Sequence, residues 1–238
     1  MEILSTYVIS DIHGNYNAYM EMLNKIHFSE DDMLYVLGDI LDRGQNPIKV
    51  IIDLMNRENV VCLAGNHEYM AMECLGFLTK EITEESLKEL NLDNIQKLLN
   101  WQQSGAITTI NEFYKLNQGT RKSIMQFISE FDLYAELHIN GKVYVLVHAG
   151  IRNFKEQKPM WEYEIEELIW EGLNYEEQYY RDKYVITGHT PTMTIKGNTR
   201  PGYIYKNKHN IAIDCGAGFG VRLACLCLET EEEFYVKC

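Results

Sequence analysis

Gly38-Asp39-Ile40-Leu41-Asp42-Arg43-Gly44 directly follows the apolar run Met33-Leu34-Tyr35-Val36-Leu37. The run predicts a short buried strand, so two carboxylates and a guanidinium stand on a glycine-bounded loop at the C-terminal end of a strand. Open α/β sheets bind their ligands at that end. A single loop of this kind indicates little, because Asp and Gly are ordinary turn residues. Its meaning depends on whether the chain repeats the arrangement.

Four more apolar runs end in loops that carry Asp, Asn or His beside glycine. Side chains of these types bind borderline or hard divalent cations. Five such endings in one chain point to a site with more than one metal ion. The four further loops are Asp11-Ile12-His13-Gly14, Gly65-Asn66-His67-Glu68, His148-Ala149-Gly150 and Gly188-His189-Thr190.

These five blocks resemble those of the metal-dependent phosphoprotein phosphatases, the serine/threonine protein phosphatase type within the calcineurin-like metallophosphoesterase superfamily. That family's blocks run Gly-Asp-x-His-Gly, Gly-Asp-x-x-Asp-Arg-Gly, Gly-Asn-His-Glu, His-Ala/Gly-Gly and Gly-His. All are present in order, and the one departure is Ser10 in place of the first Gly. The resemblance implies a four-layer α-β-β-α sandwich of two mixed sheets. Periodicity alone supports only an α/β or α+β fold.

Asp11 and His13 are two positions apart on an extended strand exit, so both can point the same way and hold one metal ion. The resemblance implies that Asp39 joins them and bridges to a second ion. Two divalent ions are therefore expected, manganese in the first place, although iron and zinc also suit these ligands. The ligands implied for the second ion are Asp39, Asn66, His148 and His189.

Catalysis in this family implies attack on phosphorus by a hydroxide that bridges the two ions. By the family pattern His67 is the general acid, and Asp42 holds its ring and keeps it protonated. Alternatives stay open for both residues: His67 as a metal ligand or an ordinary loop histidine, and Asp42 as the cap of a turn. Glu68 would brace the site or cap the helix that begins there.

Phosphate binding is predicted for Arg43, Asn66 and Arg152. A guanidinium binds phosphate oxygens through its fork of N–H donors. Arg152 stands two residues after the His-Ala-Gly block, and a plain surface arginine is the alternative. In many relatives an Arg follows two residues after a Trp that precedes the Gly-His block. Here that position, after Trp170, holds Gly172.

The chain has 238 residues, of which 46% are hydrophobic, and we predict one domain over 1–238. The net charge of −13 argues against nucleic-acid or anionic-membrane partners. No run approaches the length of a membrane span, and Glu2 stands where a signal peptide would be basic, so a cytoplasmic location is expected. The six cysteines form no Cys-x-x-Cys pair and are predicted to be reduced core thiols. Nothing in the pattern predicts an oligomeric state.

Up to Glu68 the chain alternates strands, metal loops and helices, with helices predicted over 17–26 and 47–56. Residues 69–130, with Leu87 and Leu90 among their apolar positions, then take helical spacing. They predict a helical insertion that either shapes substrate access or only covers the sheet. Asn140-Gly141 is a strong hairpin signal and opens a part that is mostly strand. Later predictions are a helix over 160–170 and strands over 203–205, 211–214, 222–229 and 234–236.

A serine/threonine protein phosphatase acting on phosphomonoesters is the first interpretation, because Asp42-Arg43-Gly44 and Glu68 are intact. The alternative is a symmetrical diadenosine-tetraphosphate hydrolase, which shares most of these blocks but cleaves a phosphate anhydride. The expected partner of the protein is its substrate, either a phosphorylated protein or a small phosphoester. A non-catalytic binding module would predict eroded metal ligands, and the blocks retain theirs.

Overall fold

The computed structural model describes residues 5–78 and 91–238, and two five-stranded sheets form its centre. The first sheet contains β1 (Thr6–Ile9), β2 (Met33–Val36), β3 (Val60–Cys62), β9 (Arg222–Cys227) and β10 (Glu233–Lys237). Its strand order is β10-β9-β1-β2-β3. Strand β2 pairs parallel with β1 and with β3, whereas β9 pairs antiparallel with β1 and with β10.

The second sheet is also mixed. It contains β4 (Tyr134–Ile139), β5 (Lys142–Val147), β6 (Lys183–Thr187), β7 (Tyr205–Asn207) and β8 (Asn210–Ala212). Its strand order is β4-β5-β6-β8-β7, with β5, β6 and β8 parallel and an antiparallel strand at each edge. Five of these parallel strands, β1, β2, β3, β5 and β6, end in the predicted metal loops.

Helices cover the outer faces of both sheets. They are α1 (Tyr16–Lys25), α2 (Pro47–Met55), α3 (Asn66–Leu78), α4 (Leu92–Gln103), α5 (Ile107–Tyr114), α6 (Gln118–Ser129) and α7 (Ile165–Ile169). Side chains of β1 alternate between two cores, because successive residues of a strand point to opposite faces. Val8 packs between the sheets, whereas Tyr7 and Ile9 pack under α1 and α2. Val145 and Val147 of β5 pack under α7. Two mixed sheets between helical layers confirm the predicted four-layer sandwich.

Most predicted elements are present within two residues of their expected ends. The hairpin at Asn140-Gly141 joins β4 to β5, and Pro47 begins α2. The helix predicted over 160–170 is wrong as one element. It forms a 3-10 turn, Met160–Glu162, and then α7, because Glu164 starts a new helix with a capping box to Glu167.

The strand predicted over 203–205 is displaced: β7 begins at Tyr205, where pairing with Ala212 of β8 begins. The described part of the predicted insertion is helical, from α3 to α6. Leu87 and Leu90 lie outside the described residues. Of the six cysteines, all are free thiols and only Cys238 is exposed. Within 5–78 and 91–238, no helix has the length and apolar character needed to cross a membrane.

Candidate metal centre

The five predicted loops meet at one place, where the parallel strands of both sheets end. The backbone N–H of Asp11 donates to Gly38 O at 3.1 Å, and Gly188 N donates to His148 O at 2.8 Å. His148 also joins the two sheets, because its Nδ1 donates to the carbonyl of Leu37 at 2.6 Å. Loops far apart in the chain are thus hydrogen-bonded to one another around a single centre.

Backbone conformation separates these loops from ordinary turns. Non-glycine residues rarely adopt positive φ, and such residues concentrate at functional sites. The close approach of neighbouring loops also requires glycine: Gly38 has φ of +79°, and a Cβ there would lie 2.5 Å from the nitrogen of Gly65. Among the described residues, the site residues with φ between 45° and 70° are Asp11, His13, Asp39, Asp42, Arg43 and His189.

In the part of the chain that the structure describes, two groups of side chains have the composition and spacing of metal sites. The first is His13, Asp39 and His67, and the second is Asp39, His148 and His189. Within each group, the ligand atoms lie within 4.8 Å of one another. Asp39 belongs to both, as a bridging ligand must. Asn66 adjoins the second group, because its Oδ1 is 3.0 Å from His148 Nε2 and 3.0 Å from His189 Nδ1.

The imidazoles are held in the form that binds metal. Nδ1 of His13 donates to Leu41 O at 2.9 Å, so its Nε2 keeps the lone pair. His148 is fixed in the same way by Leu37. Burial lowers the pKa of His13 to about 3 and that of His189 to about 4, and it also lowers the pKa of His148. All three rings are therefore neutral at neutral pH, as metal ligation requires.

Buried carboxylates supply the negative charge that a cation would neutralise. Burial raises the pKa of Asp11 well above its usual range, and repulsion from Asp214 and Asp39 raises it further. Burial likewise raises the pKa of Asp214 to about 7. For Asp39 burial also opposes ionisation, but the surrounding imidazoles, His148 first, lower its pKa. Divalent cations would reverse the repulsion among these groups, so the residues present fit a metal centre.

Asp11 lies beside the two groups rather than inside either. Its carboxylate accepts the backbone N–H of His189 at 3.1 and 3.0 Å and also accepts the hydroxyl of Ser10. His67 takes the corresponding place in the first group. The prediction that Asp11 binds a metal ion therefore stays a prediction, and so does the alternative that His67 does. Asp214, at the end of the strand predicted over 211–214, adds a further buried acid near the centre.

The predicted pair of His67 and Asp42 is in contact: Nδ1 of His67 lies 2.6 Å from Oδ2 of Asp42. Both side chains are buried. Burial lowers the pKa of His67, but attraction from Asp39 and the hydrogen bond to Asp42 outweigh it, and the pKa is raised. Nη2 of Arg43 donates to Nε2 of the same ring at 3.1 Å, so this nitrogen is the one that can take up and deliver a second proton when the guanidinium moves. This arrangement has the parts that a proton donor needs.

Glu68 braces the loops rather than the metal groups. Its two carboxylate oxygens accept four backbone N–H groups, at 2.8 to 3.1 Å, from two different loops of the centre. Burial raises its pKa to about 7, and the backbone donors oppose that rise. The bracing role is the one of its two predicted roles that these contacts support. The four donors are the N–H groups of Asp39, Ile40, Leu41 and Gly65.

Arg43 lies at the centre with its guanidinium stacked on an aromatic ring. Its Cζ is 4.8 Å from the centroid of Phe219, whose side chain is 59% exposed. Gly218 lets this turn approach closely, since a Cβ there would be 2.9 Å from Nη1 of Arg43. The sequence did not single out Phe219. Aromatic residues are common in protein cores, so the sequence does not separate Phe219 from a core residue. Its exposure beside Arg43 does so in the structure.

Arg152 and Gly172 lie outside the two metal groups. Nε of Arg152 is 3.2 Å from Oε2 of Glu171, and 57% of its side chain is exposed. Its role in phosphate binding stays a prediction. Gly172 packs against the hydroxyl of Thr190, and a Cβ would collide with that oxygen. The backbone at this position thus leaves no room for an arginine without a shift of the loop that carries His189.

Comparison with known proteins agrees with this geometry. A family model described as calcineurin-like phosphoesterase matches residues 4–193. A symmetrical bis(5'-nucleosyl)-tetraphosphatase from Erwinia tasmaniensis is 30% identical over 116 residues. That match covers 48% of this chain and 42% of the relative, so the chain matches less than half the length of that protein.

Two solved structures share the fold across almost the whole chain. One, of a protein proposed to be a diadenosine tetraphosphatase, has a TM-score of 0.65 at 15% identity and covers 98% of this chain and 93% of that one. The other, a protein serine/threonine phosphatase from Saccharomyces cerevisiae, has a TM-score of 0.53 at 14% identity. The match covers 98% of this chain and 79% of the yeast protein's chain. At these identities the likeness concerns the fold alone.

Proposed function

The chain belongs to the calcineurin-like phosphoesterase family, and within it we propose that this protein is a symmetrical dinucleoside-tetraphosphate hydrolase that works with two divalent metal ions. The observation that carries the chemistry is the sharing of Asp39 by two metal-binding groups beside the His67–Asp42 pair. The substrate is supported by the relative from Erwinia tasmaniensis. The alternative drawn from the sequence is thus better supported than the protein phosphatase interpretation.

The ligand set proposed is the one that the sequence implied: Asp11, His13, Asp39, Asn66, His148 and His189. Divalent ions held there would supply Lewis-acid stabilisation of phosphate charge and a water nucleophile active near neutral pH. The chain's own contribution is to hold neutral imidazoles in fixed orientation, through Leu37 O and Leu41 O, and to keep Asp39 ionised between them. Manganese is the ion we propose, with iron and zinc as alternatives.

Proton delivery falls to His67. Hydrolysis of the central anhydride consumes one water, breaks the P–O bond between the second and third phosphorus atoms, and releases two nucleoside diphosphates. Asp42 accepts the Nδ1 proton of His67, and Nε2 accepts from Arg43, so Nε2 can carry the second proton of the charged ring once the guanidinium turns to the phosphate. From there it can pass to the oxygen of the departing diphosphate.

Substrate binding falls to Arg43 and its neighbour Phe219. The guanidinium can bind non-bridging phosphate oxygens in a bidentate way. The exposed ring of Phe219 offers a face on which a nucleobase can stack, a contact that tolerates any base because every base has a π-face. A phosphoprotein would need no such ring. This side of the centre therefore favours a nucleotide.

A second candidate, hydrolysis of phosphoserine or phosphothreonine, is favoured by one observation. The His67–Asp42 pair suits an alkoxide leaving group, which needs a proton far more than a diphosphate does. The fold likeness to the yeast phosphatase is compatible with this activity. The nucleotide assignment is preferred because the relative aligned over 48% of this chain has that activity in its name.

Parallel assays separate the two. The protein is incubated with Mn²⁺ or with a chelator, and with diadenosine tetraphosphate or a phosphoserine peptide, and kcat/KM is measured for each. We expect metal-dependent cleavage of the dinucleotide to ADP alone, at a higher kcat/KM than for the peptide. Formation of ATP and AMP would contradict the symmetrical cleavage. A preference for the peptide would return the protein to the phosphatase interpretation.

A further inference from the structure

The turn between α4 and α5 is bound to the loop that carries Asp42 and Arg43. The backbone N–H of Arg43 donates to Gly105 O at 3.0 Å, and its Nε donates to Ser104 O at 3.4 Å. These residues lie in the region that the sequence predicted either to shape substrate access or only to cover the sheet. The contacts show a third relation of this helical region to the centre, because its turn is hydrogen-bonded to the loop that carries Asp42.

Asp42 is the point where the contacts converge. Its Oδ2, which faces Nδ1 of His67, also accepts the indole N–H of Trp101 at 2.7 Å. Its Oδ1 accepts the hydroxyl of Thr109 at 2.5 Å, and the same hydroxyl accepts the backbone N–H of Asp42 at 3.0 Å. Asp42, Trp101 and Thr109 are all fully buried. Both carboxylate oxygens are therefore held by donors from the helices.

The chemistry of these donors fixes the orientation of the pair. An indole N–H can only donate, and the Thr109 hydroxyl, which accepts from Asp42 N, has its own proton left for Oδ1. The plane of the carboxylate is thereby set from two sides. A buried indole needs some acceptor, and any carbonyl would serve. Here the acceptor is the oxygen that orients His67.

We propose that Trp101 and Thr109 are positioning residues that hold the carboxylate of Asp42 so that His67 can protonate the leaving group. The inference deepens the proposed function and rests on it, since it requires hydrolysis of a phosphate bond. It does not depend on the dinucleotide being the substrate. The helical region thus contributes to catalysis through Asp42.

The test measures how kcat depends on the leaving group, using 2,4-dinitrophenyl, 4-nitrophenyl and phenyl phosphate with the Mn²⁺-loaded protein. A good leaving group needs no proton, whereas phenolate does. Thr109→Val and Trp101→Phe should each lower kcat for phenyl phosphate by at least about 10-fold, a part of the full general-acid contribution. They should leave kcat for the dinitrophenyl ester within about 3-fold and the bound Mn²⁺ unchanged.

Thr108→Val is a matched control, because among the described residues the Thr108 hydroxyl is buried without a hydrogen-bond partner. Trp161→Phe controls for the loss of an indole, since Trp161 is 76% exposed. Both control variants should show the same dependence of kcat on the leaving group as the wild-type protein. Thr109→Ser retains the hydroxyl and should restore that dependence, which also keeps the test valid if Trp101→Phe does not fold.

The outcomes distinguish the positioning role from the substrate assignment. Equal losses across the three esters, or lost metal, would overturn the positioning role and leave the substrate assignment standing. Cleavage of the esters without cleavage of the dinucleotide would overturn the substrate assignment and leave the positioning test in force. A wild-type protein inactive on every phosphate bond would overturn both.

Discussion

Nδ1 of His67 lies 2.6 Å from Oδ2 of Asp42, although the two residues are 25 positions apart and come from loops after different strands. The contact orients the imidazole so that Nε2 faces Arg43 and lies 3.8 Å from Oδ2 of Asp39. One ring nitrogen is thus held by a carboxylate and the other faces the metal groups. The first prediction concerns which of these contacts matters for turnover.

His67→Asn is expected to lower kcat for phenyl phosphate by about 10²- to 10⁴-fold, the range for a lost general acid. The loss for diadenosine tetraphosphate should be smaller, because a diphosphate leaves more easily without a proton. Bound metal, measured by elemental analysis, should be unchanged. His138→Asn is the control, since 73% of the His138 side chain is exposed. Loss of metal from the variant would instead make His67 a ligand.

Asp39→Asn is expected to reduce activity by more than about 100-fold, beyond the range for residues that only orient ligands. Asp39 belongs to both metal-binding groups, so its replacement should also lower the number of bound ions. Elemental analysis and turnover are measured on the same preparation. Asp182→Asn, at an exposed position, should change neither. Turnover at the wild-type rate would contradict a centre that shares Asp39.

Strands, their order along the chain and the metal loops could be predicted because their signals are local. Val8 alternates with Tyr7 and Ile9, and glycine-bounded turns follow the parallel strands. The five blocks then indicated which loops meet. Boundaries moved where a local cap intervened, as at Glu164, or where sheet pairing decided the strand, as at Tyr205.

Contacts of long sequence separation that involve residues outside the five blocks could not be predicted. Trp101 lies 59 positions from Asp42, and a tryptophan with helical neighbours is typical of any core. The same applies to Phe219, whose exposure and place beside Arg43 depend on the folded turn. Asp214 also lies just after a strand, β8, but none of the five blocks contains it. Its burial near Asp11 appears only when the two sheets are packed together.

Arg43→Ala is expected to raise KM for the dinucleotide by roughly 10- to 100-fold, as expected for loss of hydrogen bonds to a charged group. Arg152→Ala should raise it less, because its guanidinium is exposed and paired with Glu171 and would have to leave that carboxylate to bind phosphate. Steady-state kinetics on both variants test whether KM rises more in Arg43→Ala than in Arg152→Ala. An unchanged KM in Arg152→Ala would make this residue a surface arginine.

Phe219→Ala is expected to raise KM for diadenosine tetraphosphate by about 5- to 150-fold, the equivalent of one stacked base. KM for 4-nitrophenyl phosphate in the presence of Mn²⁺ should change little, because that substrate has no nucleobase. Phe219→Tyr keeps an aromatic face and serves as the control. Equal effects on both substrates would mean that the ring acts through Arg43, on which it stacks, rather than on the base.

Metal removal is expected to make stability depend on pH through Asp214. Burial raises its folded-state pKa to about 7 from an ordinary 3.8, so between these values the folded protein binds more protons than the unfolded chain. Stability of the metal-free protein should therefore fall as pH rises through that window and then level off. Bound cations would reduce the cost of ionising the buried Asp214 carboxyl and so weaken this pH dependence. Melting temperatures between about pH 4 and pH 8, with chelator or Mn²⁺, test this.

Asp214→Asn should flatten the decline of melting temperature with pH in chelator, and Asp182→Asn should not. An equal decline in wild type and Asp214→Asn would show that other groups cause it.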